Sequence, residues 1–140
     1  MSGKELDGDE VRSLIKRHFP HVIEFPVSVS ARGEGSLALT LAVTEAMLRP
    51  GGTISGPTLM TLADTAMYVL LLSELGAVEQ AVTTSMHIDF LRRPALVPVT
   101  ARAELLKLGR TLAVGRVTMF SEGDARPIAH ASITYALPPR

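Results

Sequence analysis

Residues 55–76 read SGPTLMTLADTAMYVLLLSELG. The stretch predicts one helix of about five turns, apolar on nearly every side. A helix that is apolar all round has to be wrapped by other structure. One carboxylate, Asp64, sits inside the apolar part. An ionised carboxylate in such surroundings costs several kcal/mol unless it is satisfied or used.

The flanking segments supply the wrapping. Ahead of the helix, Asp7–Phe19 predicts a short amphipathic helix with Val11, Leu14, Ile15 and His18 on one face, ended by Pro20. Residues 21–31 (HVIEFPVSVSA) predict a strand, and Pro26 within it points to an edge or a bulge. Arg32-Gly33-Glu34-Gly35 is a turn, and 36–43 (SLALTLAV) alternates with period two. Residues 44–54 (TEAMLRPGGTI) predict a loop. After Gly76, a suitable helix terminator, four strand-like segments follow: 80–91, 97–108, 111–121 and 126–137. In the first of these Met86, Ile88 and Phe90 alternate with His87, Asp89 and Leu91.

Strands joined by short turns predict an antiparallel sheet. A sheet with one long apolar helix must curl around it, which predicts an α+β fold: a single domain over residues 1–140 with an N-terminal helix at 1–20 and a central helix at 55–76. The helix is apolar beyond the face that one sheet covers. Hydrophobic content is 46% against 20% charged. Both observations call for a second subunit.

Composition excludes several functions. There is no Cys, hence no disulfide framework, no thiolate catalysis and no Cys-based zinc site. A formal net charge of zero leaves no electrostatic footprint for nucleic acid or an anionic membrane. The charged start, MSGKELDGDEVRS, has no apolar core of a signal peptide. A cytoplasmic protein is expected, with no membrane partner.

Three stretches carry a resemblance. They are GGTISGPTLMTLADTA at 51–66, VTTSMHIDFLRRP at 82–94 and ARAELLKLGRTLAV at 101–114. In order and spacing they resemble the hotdog-fold acyl-CoA thioesterases, in particular the PaaI-like branch. The resemblance implies a hotdog fold, an antiparallel sheet wrapped around one central helix. It implies hydrolysis of an acyl-CoA to free acid and CoA, without cofactor or metal. Asp64 would be nucleophile or general base. Gly56 would offer its backbone N–H to the thioester oxygen, and Thr83 would help position water or the carboxylate. Arg92, Arg93 and Arg110 fall in turns where the family binds the phosphate-bearing end of CoA; Arg49 and Ser55 also belong to the implied substrate site. The family's site lies between two subunits, and its dimers usually pair into tetramers. Three positions depart from the family pattern: Ser55 replaces a His, Pro57 replaces a Gly, and Arg49 stands where several relatives hold an Asn.

The residues support that chemistry on their own terms. Thioester hydrolysis needs a carboxylate near the carbonyl carbon, and an apolar helix wall holds one rigidly. A helix N-terminus presents unpaired N–H groups to a developing oxyanion, and glycine permits close approach. The plainer readings are a buried Asp64 paired with backbone or Arg49, a Gly56 that serves loop geometry, ordinary β-forming Thr83, Thr84 and Ser85, and solvated turn charges. His87 and Asp89 with His130 make only a weak metal set. The G-x-x-x-x-G at 51–56 lacks the Lys-Ser/Thr of a phosphate loop. Two other functions compete with hydrolysis. One is a non-catalytic acyl-CoA binder on the same fold. The other is a hydratase or dehydratase, which the absence of a His at position 55 disfavours.

Overall fold

The structure is a computed structural model and describes Ser13, residues 26–76 and residues 78–139. The helix predicted over 7–19 and the first part of the strand predicted over 21–31 lie outside the described residues.

The central helix, α1, spans Gly56–Leu75. Its start follows from local chemistry. Ser55 has extended backbone angles and its Oγ accepts a hydrogen bond from the Thr58 N–H at 3.2 Å, which satisfies one orphan donor of the first turn. Pro57 sits in that same turn, where its missing N–H costs nothing. At the other end Gly76 takes φ 78° and donates its N–H to Leu72 O at 2.9 Å. A side chain rarely adopts that φ, so glycine closes the helix.

Among the described residues six strands wrap α1: β1 (Val27–Gly33), β2 (Ser36–Leu41), β5 (Val82–Phe90), β6 (Val99–Leu108), β7 (Leu112–Ser121) and β8 (Pro127–Ala136). Their order in the sheet is β1-β2-β6-β7-β8-β5, and every neighbouring pair is antiparallel. The starts of β5, β6, β7 and β8 lie one or two residues inside the predicted segments, and β1 runs on through Gly33, which the sequence places in the turn. Pro26 immediately precedes β1, an edge strand bulged between Val29 and Ala31. Residues 44–54 are more ordered than a loop. They hold a single 3-10 turn at Glu45–Met47 and a two-strand hairpin, β3 (Leu48–Arg49) and β4 (Thr53–Ile54). The hairpin turns through Gly51 and Gly52, both at positive φ.

The core lies between helix and sheet. Leu37, Leu39, Leu41, Val99, Ala101, Ala103, Val117, Met119, Ala129, Ala131 and Ile133 point inward against Leu62, Met67, Leu70 and Leu71. Many of the inward sheet residues are alanines, so the helix approaches closely. The approach is tightest at Gly115, where a Cβ would lie 2.5 Å from Met67 Sδ and 2.9 Å from the Glu104 carbonyl oxygen. At 20 residues α1 is long and apolar enough to cross a membrane, but it is largely buried inside this sheet.

Candidate active site

Asp64 lies two turns into α1, half-buried among Leu62, Ala63, Thr65 and Ala66, all buried. Two hydroxyls from the sheet meet its carboxylate. Thr83 Oγ1 donates to Asp64 Oδ1 at 2.6 Å, and the Tyr135 phenol donates to the same oxygen at 2.8 Å. The phenol also lies 3.2 Å from the Asp64 main-chain oxygen. Oδ2 accepts no hydrogen bond among the described residues.

The strand register explains this convergence. Thr83 of β5 and Tyr135 of β8 are directly paired. Their shared inward face depends on a bulge. Met86, Ile88 and Phe90 pair with the inward residues Ile133, Ala131 and Ala129. Strict alternation from there back would turn Thr84 inward. The ladder shifts between Thr83 and Ser85, so Thr84 is the extra residue, its hydroxyl donating to Thr134 O at 3.2 Å. The bulge thereby aims Thr83 at the helix, a common use of such irregularities beside functional groups.

Tyr135 is a site neighbour that the sequence reading missed. Its signal was a tyrosine in step with Ala129, Ala131 and Ile133: a buried phenol needs a polar partner, and one was required nearby. Burial, and secondarily the Asp64 charge, push the Tyr135 hydroxyl far above the ordinary tyrosine range. It stays a donor at any physiological pH.

Gly56 opens α1. Its φ is not in the left-handed region, and among the described residues the nearest atoms that a Cβ there would meet belong to the Phe90 ring, at 3.4 Å. Neither backbone conformation nor packing among the described residues requires a glycine. Gly56 and Asp64 stand eight positions apart on one straight element, about 12 Å along its axis. The chain therefore does not bring them together by itself.

The cations divide between the two ends of the site. Phe90, the last residue of β5, faces Gly56, so Arg92 and Arg93 follow close to the helix N-terminus. Arg92 donates to Pro127 O at 2.9 Å, and Arg93 to Gly51 O at 3.2 Å, which ties it to the β3–β4 hairpin that carries Arg49. Arg110 lies in the β6–β7 turn. That turn leads into Leu112 and Ala113, in register with Ala136 and Tyr135, and so belongs to the Asp64 end. All four arginines are exposed, and Arg49 makes no ion pair with Asp64 among the described residues. The Ser55 hydroxyl is engaged in the helix cap and lies 2.8 Å from Thr58 Oγ1. His87 pairs with Asp89 at 3.2 Å in the outward-facing rows of β5, and no cluster of three potential metal ligands occurs among the described residues.

Residues 51–128, which hold Gly56, Asp64, Thr83 and the Arg92-Arg93 pair, match the family model described as "Thioesterase superfamily". The chain belongs to the thioesterase superfamily. Thioester hydrolysis is the reaction class that this membership assigns to it. Among the superfamily's solved structures, one from Silicibacter sp. TM1040, named a "putative thioesterase", is 41% identical with a TM-score of 0.82, covering 96% of this chain and 93% of the other. Zebrafish thioesterase superfamily member 2 has a TM-score of 0.81 at 23% identity, over 96% of this chain and all (100%) of the other, a likeness of fold. A curated relative, "Putative esterase Ta0293" of Thermoplasma acidophilum, is 28% identical over 109 residues, 77% of this chain and 80% of that protein. The antiparallel sheet around one long helix is the hotdog fold, as the resemblance implied.

Proposed function

We propose that this thioesterase-superfamily protein hydrolyses an acyl-CoA, in the manner of the PaaI-like branch, at a site shared by two copies of the chain. The observation that carries the proposal is the anchored carboxylate: Asp64 is gripped at Oδ1 by Thr83 and Tyr135, while Oδ2 is left for chemistry. In the general-base route, Oδ2 takes a proton from water as the water oxygen bonds to the carbonyl carbon. The carbon–sulfur bond then breaks, the acid forms and CoA leaves as the thiol after taking up a proton. In the nucleophilic route Oδ2 itself bonds to the carbonyl carbon, CoA leaves, and water cleaves the resulting anhydride.

The negative charge that grows on the carbonyl oxygen needs donors. The Gly56 N–H, at the positive end of α1, suits that role, and neither its φ nor its packing among the described residues accounts for the glycine. A carbonyl cannot reach both ends of a 12 Å separation, so Gly56 of one copy would serve Asp64 of another (about 12 Å follows from helix rise). The long exposed edge of β5 supports such pairing. Among the described residues β5 pairs with β8 alone, and Val82, Phe90 and the following Leu91 stand open to solvent. Arg92, Arg93 and Arg49 near the helix N-terminus, with Arg110 toward the other end, are candidates for the three phosphates of CoA. Hydrolysis by this route calls for no cofactor.

The test is thiol release from a panel of acyl-CoAs by wild type, Asp64→Asn and Gly56→Ala. Wild type is expected to turn over. Asp64→Asn should lose at least a thousandfold in kcat with an unchanged circular dichroism spectrum. Wild-type rates in Asp64→Asn refute the mechanism. Calorimetric CoA binding with no thiol release from any thioester would instead make the protein an acyl-CoA binder.

A further inference from the structure

We infer that Tyr135 is a positioning residue: it holds the Asp64 carboxylate in one orientation, with Oδ2 presented to the thioester. The inference rests on the proposed role of Asp64. Tyr135 grips that residue at both ends, with the phenol 2.8 Å from Oδ1 and 3.2 Å from the main-chain oxygen. Fixing Oδ1 relative to the residue's own backbone removes the side chain's rotational freedom, which is the requirement for a reacting group.

The phenol is itself held. Its ring is buried and stacks on Tyr68 at 6.3 Å between centroids with 27° between planes. Tyr68 lies one turn after Asp64 on the same face of α1, and its hydroxyl is anchored on Glu79 O at 2.9 Å. The other donor, Thr83, stands exposed on an edge strand. Of the two donors, Tyr135 is thus the one built into the core. A tyrosine that merely satisfied its hydroxyl would need only the backbone oxygen, yet its shorter contact is to the carboxylate.

Tyr135→Phe keeps the ring and removes the donor. The expected result is a fall in kcat of about ten- to a hundredfold with KM within about twofold, the size of one hydrogen bond to a charged group. Tyr135→4-aminophenylalanine, which restores a donor, should recover kcat to within about threefold of wild type. The inference is overturned if Asp64→Asn is inactive while Tyr135→Phe keeps wild-type kcat, or if only KM moves. It is also overturned if Tyr135→Phe fails to fold and the amino variant restores folding without restoring kcat. Active Asp64→Asn, by contrast, sinks the proposed function. Should wild type release no thiol at all, the crystal structure of Tyr135→Phe decides: Asp64 in a changed or split rotamer supports the positioning role, and an unchanged one overturns it.

Discussion

Asp64 places a carboxylate where its surroundings make one costly. A carboxylate set among buried residues loses hydration, and two hydroxyls on one oxygen replace part of it. Thr83→Val removes one donor without changing shape. Because the site is exposed at Thr83, thermal stability should move by no more than about 1 kcal/mol, whereas kcat should fall about tenfold or more. Steady-state kinetics beside a melting curve separates the two. Tyr135 gives a second readout. The folded protein holds the phenolic proton more tightly than the unfolded chain, whose value is about 10. This contribution to stability is complete below that pH and is lost as pH rises above it. The chain has two tyrosines. In Tyr68→Phe, phenolate absorbance should therefore rise only together with loss of the folded circular dichroism signal. Phenolate appearing while the fold persists contradicts the burial argument.

At the scale of elements, two contacts set how α1 sits. Ser55 caps its start, and Ser55→Ala should cost about 1 kcal/mol in a urea titration, with little effect on the strands. Gly115 sets its distance from the sheet. In Gly115→Ala the new methyl would meet both Met67 and the rigid Glu104 carbonyl. Met67 can move; the carbonyl, locked in the β6–β7 ladder, cannot, so a loss of about 1–3 kcal/mol is expected from the same titration. The bulge in β5 belongs to this scale as well. The alternation of Met86, Ile88 and Phe90 was plain in the sequence, but continued backward it selects Thr84. Family register, not periodicity, pointed to Thr83, because one inserted residue inverts the parity of everything beyond it.

For the whole molecule the decisive geometry is the separation of Gly56 from Asp64 along one helix. A composite site makes a prediction that no single-chain site makes. Asp64→Asn keeps Gly56 intact, and a Gly56 variant that blocks the N–H region, such as Gly56→Val, keeps Asp64 intact. Co-refolding the two inactive proteins in equal amounts should restore activity to about a quarter of wild type, since random pairing puts both intact residues in a quarter of the sites. Light scattering on the wild type should give at least a dimer mass. A monomer mass with full activity would remove the shared site.

The sequence by itself determined the helix, its ends and most strand positions, because these rest on near neighbours: a cap three residues away, a glycine where φ turns positive, side chains alternating along a pleat. It also marked Asp64, anomalous among its apolar neighbours, while Gly56 was marked by the family resemblance. Only the tertiary structure decided the strand order, the small hairpin at 48–54, the aim of Thr83 and the arrival of Tyr135 at Asp64. The last of these joins residues 71 positions apart. Such contacts depend on which strands pair and in what register, and local preference does not encode that pairing.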